Sequence, residues 1–111
     1  MERSSSGPVE LLEVTGEIDI ASASRLISGL NEAVGDCERP VVVDLTAVEF
    51  MDSTGLALLL NAHRRLARRE MGFAVVCGDG PVHRVFEITD MLGTLNVKPD
   101  RESATSAALG G

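Results

Sequence analysis

The run Val41-Val42-Val43-Asp44-Leu45, the connector Thr46 to Asp52, and then Ser53-Thr54-Gly55-Leu56 carry the decision about architecture. Pro40 precedes a short, nearly continuous β-branched run, the pattern of a strand buried on both faces. From Ser53 the period changes. Leu56, Leu59, Leu60, His63 and Ala67 fall near one stripe of a helix that lies on a core and stops by Met71-Gly72. A central buried strand that feeds a helix is the unit of an α/β fold.

The same alternation extends outward. Val9 to Thr15 reads as a strand ended by Gly16-Glu17-Ile18-Asp19, since glycine and aspartate favour turns. Ser22 to Val34 follows as a helix, with Ala23, Leu26, Ile27, Leu30 and Val34 on one face and Gly35-Asp36 as its stop. Downstream, Phe73 to Cys77 reads as a strand. Gly78-Asp79-Gly80-Pro81 opens a helix reaching about Thr89, Thr94 to Val97 makes a last short strand, and Glu102 to Leu109 a terminal helix. The expectation is a mixed sheet of about four to five strands packed with about four helices, with sites on loops at the strand ends.

Composition narrows the function. A chain of 111 residues with 44% hydrophobic residues supports one core and one domain. The net charge of −7 opposes the phosphates of a nucleic acid, and a chain without Trp or Tyr lacks stacking platforms, so a protein partner is expected and direct nucleic-acid binding is not. No apolar run approaches the ~20 residues that span a bilayer. Met1-Glu2-Arg3-Ser4-Ser5-Ser6 lacks the apolar core of a signal peptide, which makes the cytoplasm the expected compartment. Cys37 and Cys77 form neither a CxxC pair nor a zinc pattern and read as reduced thiols. Arg64, Arg65, Arg68 and Arg69 read as the solvated last turns of a helix. His63 and His83 lack a second ligand at metal spacing, and Gly78 to Pro81 lacks the residues of a P-loop or dinucleotide site, so neither metal nor cofactor is expected. Met51 stands where a GxSxG nucleophile elbow needs glycine, which argues against an enzyme with Ser53 as nucleophile.

Ser53 nevertheless sits where chemistry concentrates. At a helix start, serine and aspartate are favoured as caps of the free first-turn N–H groups. Those groups and the positive end of the helix dipole also suit a phosphate on the Ser53 hydroxyl, so capping and phosphorylation are both open here.

Val42-Val43-Asp44-Leu45 with Phe50-Met51-Asp52-Ser53-Thr54-Gly55-Leu56 resembles the signature of the STAS domain, specifically of anti-sigma factor antagonists. Gly16-Glu17-Ile18-Asp19 resembles a second motif of that family, and the order of elements agrees from about Val9 to Ala108. The resemblance implies one STAS domain over residues 9–109, preceded by an N-terminal segment, residues 1–8, in which the family's first strand is short or absent. It implies a partner switch. The unphosphorylated protein binds an anti-sigma factor that is also a serine kinase and thereby frees a sigma factor; phosphorylation of Ser53 reverses this, and a protein phosphatase resets it. Gly16, Glu17, Asp19, Asp52, Ser53, Thr54 and Gly55 are implied as the partner-binding face, with Ser53 rather than Thr54 the acceptor. The alternative on the same fold is a constitutive STAS interaction module, such as a transporter accessory or a stressosome-type scaffold.

Overall fold

The computed structural model describes residues 1–35 and 37–110. Its elements run β1 (Glu2–Ser6), β2 (Val9–Ile18), α1 (Ala23–Val34), β3 (Val41–Met51), α2 (Ser53–Ala67), β4 (Phe73–Val76), α3 (Pro81–Ile88), β5 (Val97–Lys98) and α4 (Arg101–Ala108). The strands form one sheet in the order β1-β2-β3-β4-β5. β1 is antiparallel to β2, and the other pairs are parallel.

Three consecutive crossovers between neighbouring parallel strands place α1, α2 and α3 on one face, as right-handed connections require. There Val41, Val43 and Leu45 of the central strand pack with Leu26 and Leu30 of α1, Leu59 and Leu66 of α2, and Phe86 of α3, each at most 3% exposed. Among the described residues, the opposite face carries only α4. Val42, Ala74 and Val76 meet Ala104 and Ala108 there in a smaller cluster. The alternation of β3 therefore sends Asp44 to the α4 face, beside Val42.

The structure departs from the sequence reading in several places. The N-terminal segment, for which a short or absent first strand was expected, contributes five-residue β1, paired along its whole length with β2. Its polar sequence, Glu-Arg-Ser-Ser-Ser, suits an edge strand and hides it from a hydrophobic pattern search. Gly16-Glu17-Ile18 does not end β2 but continues it to Ile18, and β3 runs through most of the expected connector to Met51. The partner strand supplies the reason. β2 and β3 pair beyond the part that β4 reaches, with two irregularities that each set an extra β3 residue against β2, between Glu13/Thr15 and between Gly16/Glu17. Such bulges twist a ribbon and blur its alternation. Gly16 lies at φ +83°, open to glycine at no steric cost. Near the C-terminus the last strand is Val97–Lys98, not Thr94 to Val97, because Leu95 is fully buried in a turn. Helix α2 closes at Ala67, and Glu70 adopts a left-handed conformation before Met71. Asp36, expected with Gly35 to stop α1, lies outside the described residues.

Candidate functional site

The parallel strands bring their C-terminal ends to one edge, together with the starts of α1, α2 and α3. Ile18 pairs with Met51 and Glu17 with Phe50, which sets the Gly16–Asp19 segment directly against the residues entering α2. The Asp52 N–H donates to the Ile18 carbonyl at 3.1 Å and closes the junction. The two motifs therefore lie side by side at this edge of the sheet.

Asp52, not Ser53, caps α2. Its backbone is extended (φ −104°, ψ −172°), and its Oδ1 accepts from the Thr54 N–H at 2.9 Å and the Gly55 N–H at 3.4 Å. Ser53 occupies the first helical position. It is exposed, and its hydroxyl bonds to no described residue. The capping role considered for Ser53 is thus filled by its neighbour, leaving the hydroxyl free for chemistry. The expected cradle for a phosphate is reduced in consequence. Thr54 and Gly55 already spend their N–H groups on Asp52, so a phosphate on Ser53 would meet a carboxylate where open amides were expected.

The remaining site residues differ in accessibility. Gly16 and Glu17 are exposed, whereas Asp19 and Thr54 are half-buried. Asp19 holds the start of α1: its Oδ1 accepts from the Ser22 N–H at 3.0 Å, and its own N–H donates to Ser22 Oγ at 3.0 Å. Gly55 is buried and offers no surface for a partner. A Cβ there would fall 2.5 Å from Ile18 Cγ2 and 2.7 Å from Met51 Cγ, so its absence lets the first turn of α2 lie on the ribbon. Ile20 and Phe50 were not singled out in the sequence, yet they project apolar surface at this edge, 80% and 47% exposed.

A second constellation lies on the α4 face. Asp44 is 7% exposed; its Oδ1 accepts from the Thr46 N–H at 2.8 Å and the Thr46 hydroxyl at 2.5 Å, and its Oδ2 from Arg101 Nε at 2.7 Å. Arg101 also reaches Glu13 at 2.9 Å. Burial pushes the Asp44 carboxyl up, but the bonds from Thr46 and the Arg101 guanidinium together hold it below its ordinary range. An aspartate inside a valine run was the visible signal. Its partner, 57 residues away, was not. These side chains line a groove of about 420 Å³ with Thr15, Ala47 and Asp100.

Among the described residues no group of three His, Cys, Asp or Glu side chains is placed to hold a metal. His63 packs its ring against Phe73 at 6.0 Å, and His83 lies 3.1 Å from Glu87. Of the arginine cluster, Arg65 bonds to Asn31 Oδ1 at 2.7 Å, while Arg64, Arg68 and Arg69 are exposed. Cys37 and Cys77 are free thiols. No described helix is long and apolar enough to cross a membrane.

A five-stranded mixed sheet, three helices on one face, a fourth on the other and an exposed serine at the start of α2 define a STAS domain. Residues 3–104 match that family, and the chain belongs to it. It is similar to the anti-sigma-F factor antagonist RsfB of Mycobacterium tuberculosis, at 29% identity over 103 residues covering 93% of this chain and 84% of that protein. Among solved structures it is similar to an anti-sigma factor antagonist from Mycobacterium paratuberculosis, with 31% identity, a TM-score of 0.89, and coverage of 97% of this chain and 92% of that one. The fold is also that of the Bacillus cell fate determinant SpoIIAA in its phosphorylated form, at 18% identity and a TM-score of 0.65, covering 95% and 96% of the two chains.

Proposed function

We propose that this protein is an anti-sigma factor antagonist whose binding is switched by phosphorylation of Ser53. In this reading it acts in the cytoplasm as a regulator and not as an enzyme. Unphosphorylated, it binds an anti-sigma factor with serine kinase activity and so frees a sigma factor; a protein phosphatase returns the modified form to use. The observation that carries the reading is the free, exposed Ser53 hydroxyl at the first position of α2. The names of the relatives RsfB and the mycobacterial antagonist support the partner class.

In the transfer, Ser53 Oγ bonds to the γ-phosphorus of ATP as the bond from that phosphorus to the bridging oxygen breaks. ADP departs, and the hydroxyl proton passes to a base of the kinase. The product adds about −1.5 to −2 charges at neutral pH. Glu17, Asp19 and Asp52 already make this edge acidic. A partner docked over a neutral hydroxyl then meets charge and bulk in a water-poor interface, which costs several kcal/mol, and each ~1.4 kcal/mol is tenfold in affinity. Release requires no refolding of the domain.

Incubation of the purified protein with ATP and its cognate kinase tests the proposal. One phosphate is expected on the wild type and none on Ser53→Ala, which still binds the kinase. Phosphate chiefly at another residue contradicts it. Co-precipitation separates this reading from the constitutive-module alternative, since the antagonist recovers an ATP-binding anti-sigma factor and a transporter accessory recovers a membrane protein.

A further inference from the structure

We infer that Asp52 is a positioning residue that selects Ser53 as the phosphoacceptor by closing the first turn of α2; the inference rests on the acceptor reading of Ser53. Asp52 is held through both of its backbone groups and through one carboxylate oxygen. Its N–H donates to the Ile18 carbonyl at 3.1 Å, its carbonyl accepts from the Leu56 N–H at 3.3 Å, and its Oδ1 takes the Thr54 and Gly55 N–H groups. The first bond fixes it to the end of β2. The others fix the turn that follows.

Two adjacent hydroxyls stand at this helix start, and the cap distinguishes them. With Asp52 outside the helix, Ser53 falls at the first helical position, exposed and unbonded, and Thr54 at the second, half-buried. Gly55, pressed on Ile18 and Met51, holds the inner side of the same turn. In-line phosphoryl transfer depends on a well-placed acceptor oxygen, and a displacement of about 1 Å costs on the order of 100-fold in rate. Without a side-chain acceptor at position 52, the Thr54 and Gly55 N–H groups open to water and the turn that aims Ser53 frays. Because Oδ1 points back into the helix, the carboxylate's contribution is its oxygen as an acceptor rather than its charge. Asparagine and serine supply the same acceptor and are favoured at this position; alanine supplies none.

The molecule contains its own control. Asp100 caps α4 in the same way, accepting from the Ser103 N–H at 2.7 Å, far along the chain from Ser53. Removing that cap costs a helix start of the same kind and leaves the acceptor alone.

The experiment compares wild type, Asp52→Ala, Asp52→Asn, Asp52→Ser and Asp100→Ala. Each is incubated with ATP and an extract of the cells that make the protein, initial rates are followed against protein concentration, phosphosites are mapped, and each variant is melted. Asp52→Ala is expected to lose about 10- to 100-fold in maximal rate, with KM changed less than about threefold and phosphate spreading to Thr54. Asp52→Asn and Asp52→Ser should stay within about threefold of wild type, and Asp100→Ala should match it despite a lower melting temperature. Equal rates for Asp52→Ala and wild type overturn the inference. So does an Asp52→Asn as slow as Asp52→Ala, which makes charge the cause, or an equal loss in Asp100→Ala, which makes stability the cause. A wild type that carries no phosphate on Ser53 removes the acceptor reading itself, and this inference with it.

Discussion

Replacing Asp44 tests how far the α4 face supports the ribbon that ends at Ser53. Asp44→Ala takes the acceptor from the Thr46 N–H and hydroxyl, which hold the first β3 irregularity, and from Arg101, which starts α4. Breaking a buried ion pair costs about 3–5 kcal/mol. Arg101 is half exposed and keeps Glu13, and Thr46 is reached by water, so the lower figure of about 2–3 kcal/mol applies. An unfolding entropy of about 2.1 cal/mol/K per residue over 111 residues makes each kcal/mol worth about 4 °C. Asp44→Ala should therefore lower Tm by about 8–12 °C in calorimetry at pH 7, and Asp44→Asn, which keeps an acceptor for Thr46, by about half as much. The pH dependence has a definite sign. The folded Asp44 carboxyl lies below its ordinary value of 3.8, so its stabilisation is complete above that value and is lost as pH falls through the folded one. The gap between wild type and Asp44→Asn should close in acid. An Asp44→Ala protein melting within 2 °C of wild type at neutral pH (about 0.5 kcal/mol) would show that the Asp44 bonds to Thr46 and Arg101 contribute little to stability.

Gly55→Ala should lower Tm by about 4–8 °C, since approaches of 2.5 and 2.7 Å to Ile18 and Met51 put the overpacking cost in the upper part of its usual range, about 2–3 kcal/mol, and better helix propensity returns about 1; a stability at or above wild type contradicts the close approach. Thiol titration of the native protein at pH 8 should modify Cys37 and spare Cys77, which burial foremost pushes up to about 11, with both reacting in denaturant. Fast native labelling of Cys77 counts against its burial. Ile20→Ser and Phe50→Ser should leave Tm within about 2 °C and weaken binding of the proposed anti-sigma factor partner about tenfold or more, as measured by calorimetry; unchanged affinity places the interface elsewhere.

The sequence made the helical and buried parts of the fold readable because their patterns are strong. The valine run of β3 and the apolar stripes of α1 and α2 each state a period and a boundary. β1 was obscure for the opposite reason: a sequence of serines and charges has no apolar alternation to display. The extension of β2 and β3 was hidden by bulges, whose two-against-one pairing removes the alternation that marks a strand. At the proposed site, position and motif mark Ser53 and its neighbours, yet which residue caps the helix depends on backbone angles that Asp52 and Ser53 satisfy equally well on paper. The Asp44–Arg101 pair joins β3 to α4 across the sheet, and nothing local to either residue announces the other.

In the proposed function, Ser53 is reversibly phosphorylated and its state sets partner binding. The most direct test is intact mass with site mapping of the protein isolated from its own cells under resting and stressed conditions. A single phosphate on Ser53 whose occupancy changes between the two conditions is the predicted result, and no phosphate, phosphate chiefly on another residue, or an occupancy that never changes would contradict it.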